Sequence, residues 1–443
     1  MSSQFALFSK KRFTSMFITQ FMGAFNDNLF KQALLLVLTY NVASQMGMEI
    51  STLNNMAAML FILPYFLFSA LAGQLADKYE KSKLTVNIKI LEIVIMVIAV
   101  FGFFMQLYWL LFVALFLLGT QSTFFGPIKY AYLPQVMHED ELVGANGLFQ
   151  MGTSLSILLG MIVAGVLTQL TNAYVWICTT VVLVAIVGLM GAKNIPHTPA
   201  TQPNLTVNWN IITTSWQTIQ FLYGFPLLFF IILGNSWFWF YGATFLTQVP
   251  EFSKTILHGN EVVVIFMLGL FSVGVSIGSL LCKQFTKNQV SLKLLPFGIA
   301  GLSVFAINLF FSLRGIGDIQ ISADKLLGIT ELLAVDGSVR VFMDLFFLGF
   351  SGGIYIVPLY AYMQAYAPKS HRARVIGANN IFNAIFMVTS AIVAIMALSV
   401  LSLSLPQLFL ITGVLNLIFG GFLYLKLHKH AGSMNIQTTD DVF

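Results

Sequence analysis

The run Asn26-Asp27-Asn28-Leu29-Phe30-Lys31 sets an acid, a base and two amides inside an otherwise apolar stretch of this chain. Residues four apart lie on one face of a helix, so Asp27 and Lys31 are placed to pair. An ionisable side chain at membrane depth is costly, usually faces a bundle interior, and by default marks a functional site. The plainer reading is an ion pair that fixes helix packing. What decides between the two is the set of elements that holds the run.

Of 443 residues, 58% are hydrophobic and only 9% are charged. Soluble domains carry roughly 25% charged residues, so the composition is that of an integral membrane protein. A spanning helix needs ~20 mostly apolar residues. Twelve such stretches are expected, at about 13–39, 52–76, 84–106, 108–130, 142–169, 173–192, 224–249, 260–283, 290–312, 339–366, 374–400 and 405–427. Lys10, Lys11, Arg12, Lys78, Lys81, Lys83, Lys193, Lys283, Lys287, Lys369, Arg372, Arg374, Lys426 and Lys429 fall in alternate connections on one side. That asymmetry predicts both termini in the cytoplasm of a multi-pass protein. No cleavable signal peptide is expected ahead of the first stretch. The net charge of +5 reads as basic loops and not as a nucleic-acid surface. Cys178 and Cys282 lie in apolar stretches and read as packing residues.

The long connection at 193–223 divides the chain into a six-span bundle at 1–192 and another at 224–430, with a tail at 431–443. Trp209, Ile212, Trp216, Ile219 and Tyr223 recur at helical spacing, which predicts an amphipathic interfacial helix within it. A second insert, 313–338, carries Asp318, Asp324, Glu331 and Asp336 and has no assigned role. The two bundles share a pattern. Gly126-Pro127-Ile128-Lys129-Tyr130-Ala131-Tyr132 precedes Gly144-Ala145-Asn146-Gly147-Leu148-Phe149-Gln150. Val357-Pro358-Leu359-Tyr360-Ala361-Tyr362 precedes Gly377-Ala378-Asn379-Asn380-Ile381-Phe382-Asn383. Each pair falls in the fourth and fifth spans of its bundle, which indicates a duplicated six-helix unit. Parallel repeats of this kind resemble the major facilitator superfamily: twelve transmembrane helices, all α, in two halves related by pseudo-twofold symmetry, with the substrate site between the halves.

Gly73-Gln74-Leu75-Ala76-Asp77-Lys78 resembles that superfamily's signature between the second and third helices. Glycine allows close helix approach. A carboxylate is stabilised at a helix N-terminus. The resemblance implies that Asp77 meets the start of the eleventh span, where Arg372 and Arg374 oppose their own helix dipole. Gly73, Asp77, Lys78, Arg372 and Arg374 are therefore the expected cytoplasmic gate. In the second half Gly278 and Lys283 persist but Cys282 replaces the acid, so the gate is expected to be asymmetric. Glu139, Asp140 and Glu141 suit the N-terminus of the fifth span. Arg340 and Asp344, four apart, are either an outer-gate pair or an interfacial anchor.

Gly23-Ala24-Phe25-Asn26-Asp27-Asn28-Leu29-Phe30-Lys31, with Phe124-Phe125-Gly126-Pro127-Ile128-Lys129-Tyr130 and Leu133-Pro134, looks like the bacterial lysophospholipid transporter family, standalone or as the transporter portion of acyltransferase and acyl-carrier-protein synthetase fusions. The likeness implies movement of lysophosphatidylethanolamine-type lipids from the outer to the inner leaflet of the bacterial inner membrane, for reacylation. It implies a membrane-lipid environment and a separate acyltransferase or acyl-carrier-protein synthetase as partner. No acyltransferase His-x-x-x-x-Asp pair occurs, so no enzyme activity is expected.

The residue types suit such a substrate. Asp27 can hold an ammonium by a charge-assisted hydrogen bond, and Lys31 or Lys129 a phosphate. Asp27 lies ~22 Å along a helix from Arg12. Lys129 has the alternative of snorkelling to the interface. Asn26, Asn28, Gln121, Asn146, Asn235, Trp237 and Tyr360 complete the candidate substrate or ion site. Of these, Asn146 reads as interhelical hydrogen-bond glue before it reads as a ligand, as do Gln150, Asn379, Asn380 and Asn383. Trp237 reads as an acyl-path wall, a cation–π partner or plain packing. No metal or organic cofactor is expected, and a coupling ion, Na+ or H+, stays open. The competing reading is a proton- or cation-coupled carrier of a small water-soluble solute, with Asp27 as the coupling carboxylate.

Overall fold

The computed structural model describes residues 4–38, 50–314 and 326–434. Among the described residues the regular elements are helices, and the one β-bridge, Gly259 with Leu327, is isolated. In chain order the helices are α1 (Lys11–Val37), α2 (Ile50–Lys78), α3 (Lys81–Phe104), α4 (Tyr108–Val136), α5 (Glu139–Thr168) and α6 (Ala173–Lys193). After the short α7 (Ile211–Tyr223) come α8 (Pro226–Thr255), α9 (Glu261–Phe285), α10 (Leu295–Arg314), the one-turn α11 (Ile329–Leu333), α12 (Ser338–Tyr366), α13 (Arg372–Ile395) and α14 (Leu405–Met434). Eleven helices among the described residues are long and apolar enough to cross a membrane. The twelfth expected span is α1, which has 27 residues, but its polar run at 26–31 keeps it out of that set. The central amphipathic helix is α7, and Trp209, Ile212, Trp216 and Tyr223 all stand exposed around it. Of the second insert, 315–325 lie outside the described residues, including Asp318 and Asp324. Its Glu331 accepts from Gly328 N–H at 2.7 Å and caps α11.

Contacts divide the chain into two compact units, and the division differs from a cut at 193–223. Unit 1 is 1–145, 152–221 and 367–384, whereas unit 2 is 146–151, 222–366 and 385–443. Each unit thus takes in the repeat-equivalent segment of the other sequence half, around Gly144-Ala145-Asn146 or Gly377-Ala378-Asn379. The duplication is visible in the packing. In unit 1, α1 packs on α2, α4 and α6, α2 on α4, and α3 on α4 and α6. In unit 2 the same scheme joins α8 with α9, α12 and α14, α9 with α12, and α10 with α12 and α14.

Glycine makes the tightest of these contacts possible. Gly274 and Gly278 on α9 face the carbonyls of Phe346 and Phe350, and Gly349 and Gly353 on α12 face those of Phe271 and Val275. Four residues separate the glycines on each helix, so both pairs fall on one stripe and the backbones interlock. In unit 1, a Cβ on Gly377 would meet Ser69 O at 2.5 Å, and one on Gly73 would meet Ala373 O at 2.8 Å. These two sites bring the first turns of α13 onto the end of α2.

The connection before α7 carries no acid or base other than His197, yet it is laced to charged neighbours in unit 1. Glu80, the N-cap of α3, accepts from Ser82 and Lys83 N–H and from Thr198 N–H at 3.0 Å. Thr201 Oγ1 receives Lys81 Nζ and Gln135 Nε2, each at 3.1 Å. Gln74 Oε1 accepts from Asn208 N–H at 2.9 Å. Partial burial alone would raise the Glu80 carboxyl. The hydrogen bonds from Thr198, Ser82 and Lys83 outweigh it and hold that carboxyl down at about 2.

Two outcomes check this picture. Gly278→Ala puts a methyl against the Phe350 carbonyl and is expected to cost ~1–3 kcal/mol. Gly242→Ala, where nothing lies within 4 Å of the new carbon, should leave the melting temperature in detergent unchanged or higher. Equal melting temperatures for the two variants would refute the interlock. Glu80 has a depressed folded-state value, so its contribution is complete above its ordinary value of 4.5 and is lost as pH falls towards about 2. Glu80→Gln should therefore raise proteolysis within 195–210 at pH 7, while wild type acquires the same sensitivity only below pH 4.5.

Candidate functional site

The α1 helix runs unbroken through its polar run, so consecutive side chains fan out by about 100° and reach different neighbours. Asn28 turns back on its own helix and donates to Ala24 O at 2.8 Å. Asp27 is buried, and its Oδ2 accepts from Ser122 Oγ on α4 at 2.5 Å. Lys31 points to α2, its Nζ 5.3 Å from the centre of the Phe61 ring. The expected Asp27–Lys31 ion pair is not formed, because a hydroxyl on α4 claims the carboxylate and an aromatic face on α2 claims the ammonium. Among the described residues, neither Asp27 Oδ1 nor Asn26 Oδ1 has a hydrogen-bond partner, although both atoms are buried.

Asn26 leads to a cluster that the sequence reading missed. Its Nδ2 donates to Glu92 Oε1 at 3.0 Å, while Glu92 Oε2 receives Lys89 Nζ at 2.6 Å and Gln121 Nε2 at 3.1 Å. Lys89 and Glu92, on α3, are both fully buried. The Lys89 Nζ also lies 5.1 Å from the centre of the Phe125 ring. Gly23 makes room for it, since a Cβ there would stand 2.5 Å from Nζ. The overlooked signal was two charges three residues apart inside an apolar span. Gln121, one of the expected residues, thus binds Glu92. Its neighbour Ser122 also comes within 3.2 Å of Gln121 Oε1. Glu92, Lys89 and Lys31 all act electrostatically on Asp27, and Lys129 acts with both Asp27 and Lys89. Asp27 and Lys129 are thereby brought into one electrostatic neighbourhood, with Lys129 Nζ resting over the Tyr130 ring.

The remaining candidates lie in unit 2. Asn146 and Gln364 exchange two hydrogen bonds, at 2.8 and 2.9 Å. Asn235 Nδ2 approaches Met363 Sδ at 3.7 Å. Trp237 donates to Asn416 Oδ1 at 2.8 Å, and its ring stacks between Phe240 and Phe419. Asn416 is in turn bonded to Ile299 O and Ser303 Oγ, so Trp237 belongs to a satisfied core. Tyr360 accepts from Trp239 Nε1 at 3.5 Å. Arg340 and Asp344 do not bond directly. Arg340 donates to Asn308 Oδ1, and Asn308 Nδ2 donates to Asp344 Oδ1 at 2.6 Å. Ser312 donates to the other Asp344 oxygen at 2.7 Å.

A second charged cluster, in unit 1, joins α2 to α13. Asp77, fully buried, accepts from Ala373 N–H at 3.2 Å and from Arg374 Nε at 3.3 Å. Ala373 sits in the first turn of α13, where the free N–H groups favour an anion. Arg374 also donates to Gln202 Oε1 at 2.6 Å, and Gln202 N–H donates to Asp77 O at 2.8 Å. Arg372 is buried nearby, whereas Lys78 turns away over the Tyr79 ring. Cys282 donates its thiol to Gly278 O and Gly353 O and joins no charge network.

Comparison with known proteins places this geometry. The chain is 26% identical over 382 residues to a protein of Escherichia fergusonii named lysophospholipid transporter LplT, covering 84% of this chain and 83% of that one. It is 26% identical over 368 residues to the protein of the same name from Cronobacter sakazakii, covering 82% and 81%. Among solved structures, the human organic anion transporter MFSD10 superposes with a TM-score of 0.73 at 11% identity, covering 94% of this chain and 99% of that one. An outward-facing bacterial homologue of the iron transporter ferroportin gives a TM-score of 0.65 at 14% identity, with the same coverage. At such identities these structures speak for the fold alone. The family model for the Major Facilitator Superfamily matches residues 16–388, and with the repeated six-helix packing this makes the chain a member of that superfamily.

Proposed function

We propose that this protein carries lysophospholipids of the lysophosphatidylethanolamine type across a bacterial inner membrane. In this reading the movement is from the outer to the inner leaflet by alternating access, and it supplies a separate acyltransferase. The names of the relatives set the substrate class. The observation that carries the reading is the pair of buried acceptors without donors, Asp27 Oδ1 and Asn26 Oδ1. A buried polar atom left unpaired is expensive, so two of them on consecutive residues of α1 favour a donor-rich ligand. A primary ammonium offers three N–H donors and a positive charge, which both acceptors and the Asp27 carboxylate reward. Lys31 and Lys129 then answer the phosphate. Within this mechanism Asp77, Arg372, Arg374, Gly73 and Lys78 act at the cytoplasmic gate, with Asp77 latching the start of α13, and Arg340 and Asp344 act at the outer one. Both termini are cytoplasmic.

Spheroplast uptake of labelled lysophosphatidylethanolamine tests the reading. Asp27→Asn removes the charged acceptor, worth ~1.5–3 kcal/mol, so uptake should fall at least tenfold with folding intact. Wild-type rates in mutant spheroplasts would remove Asp27 from recognition, and no protein-dependent uptake by wild type would favour a water-soluble solute. Asp77→Asn strips one acceptor from Ala373 and Arg374. It should lower turnover several-fold while leaving KM close to wild type, because the latch touches no substrate. A raised KM with unchanged turnover in the same concentration series would place Asp77 in binding instead.

A further inference from the structure

The Lys89–Glu92 pair has no part in the mechanism as described so far, yet both its charges act on Asp27. Hydrogen bonds connect the two. Glu92 Oε2 is held by Gln121 Nε2, Gln121 Oε1 lies 3.2 Å from Ser122 Oγ, and Ser122 Oγ lies 2.5 Å from Asp27 Oδ2. A serine hydroxyl has a single proton. If Ser122 gives it to Asp27, the Gln121 carbonyl goes without; if to Gln121, both Asp27 oxygens are left open. Asn26 forms a second route, because its amide nitrogen is spent on Glu92 and its oxygen therefore faces away, without a donor. The orientation of both orphan acceptors is thus fixed by Glu92.

A buried pair built only for packing gains little over apolar side chains of the same volume, since desolvation offsets the attraction. This one is joined to three further polar side chains on α1 and α4, and its Lys89 is accommodated by a missing side chain at Gly23. We propose that Glu92 and Lys89 are positioning residues for the Asp27 site, acting through Asn26, Gln121 and Ser122 to aim Asp27 Oδ1 and Asn26 Oδ1 at a ligand ammonium. Glu92 supplies the acceptor that orders both amides. Lys89 cancels its charge, so that Glu92 orients the site without itself capturing the ligand. The inference rests on the headgroup reading above.

Two variants interrupt the path, and the first of them strands no buried charge. The double variant Lys89→Met with Glu92→Gln removes both charges at nearly constant volume, and Ser122→Ala removes the shared hydroxyl. Two measurements are made on full-length protein that melts like wild type. The first is KM and Vmax for labelled lysophosphatidylethanolamine. The second, which needs no substrate, is the rate at which a hydrophobic carbodiimide modifies Asp27, read by mass spectrometry. Each variant is expected to raise KM about tenfold, equivalent to ~1.4 kcal/mol. Each should also change the Asp27 modification rate severalfold. Combining them should add little, because residues in one network are not additive.

A folded double variant with wild-type KM and wild-type Asp27 modification overturns the proposal and leaves the pair a packing element. If the double variant does not fold, Ser122→Ala decides by the same two readouts. If wild type takes up no lysolipid, the carrier reading fails on its own. The modification rate then decides the positioning role, a changed rate supporting it and an unchanged one overturning it.

Discussion

A carboxylate removed from water must be met by donors, and in unit 1 that requirement converges on Glu92. Its two oxygens receive an amide from α1, an ammonium from α3 itself and an amide from α4. Three helices are thereby fixed in register at one point. Removing either charged partner of such a pair is far more damaging than replacing both, since a lone buried charge finds no substitute for water. The aromatic face of Phe125 and the gap at Gly23 complete the enclosure of Lys89. The direction in which Asn26 and Gln121 point, and through Gln121 the setting of Ser122, follows from this one anchorage.

The two units reach similar packing by different means. In unit 2 the α9–α12 contact is a backbone contact, made by glycines spaced four apart on both helices. The equivalent α2–α4 contact in unit 1 has Gly119 against the Phe61 carbonyl, and its close neighbours are otherwise larger side chains. Polar chemistry is divided in the same uneven way. In unit 1, charged groups at depth are joined by amides and a hydroxyl. In unit 2, apart from Asp344 with Asn308 and Ser312, buried polar groups form neutral pairs such as Asn146 with Gln364 and Trp237 with Asn416, the latter between stacked aromatic rings. Duplication preserved the pattern of helix contacts, and the side chains within that pattern diverged.

Much of this was legible before any coordinates. Apolar length and the repeated Pro and Gly-Ala-Asn strings gave the helix number and the duplicated bundle, because lipid permits few ways of satisfying a backbone. The Gly73–Asp77 motif led to the start of α13 through its resemblance to a known signature. Partner choice was less legible. Spacing placed Asp27 and Lys31 on one helix face, but the nearest donor came from α4, more than ninety residues away in sequence. Lys89 and Glu92 were passed over in a span that is mostly apolar. Two opposite charges three residues apart were a signal in themselves, since either one alone is costly in lipid. For Trp237 the sequence left an acyl-path wall, a cation–π partner and plain packing open, and packing is what the structure shows. The indole N–H and both ring faces are taken by neighbours in tertiary contact, which periodicity does not encode.

Satisfaction itself separates the structural groups from the candidate functional ones. Glu92 has a donor for each oxygen, Asp344 has Asn308 and Ser312, and Asp77 has the α13 N-terminus and Arg374. These carboxylates hold helices together, and each has been given what its burial demands. Asp27 is also buried, but Ser122 meets one of its oxygens alone, and the other is unclaimed, as is Oδ1 of the preceding residue Asn26. A cationic side chain is within electrostatic reach at Lys31, yet it is turned onto the Phe61 ring. An unmet buried acceptor is costly to keep. That contrast with the other buried carboxylates is the ground on which Asp27 and Asn26 are proposed as the groups that meet a cationic headgroup.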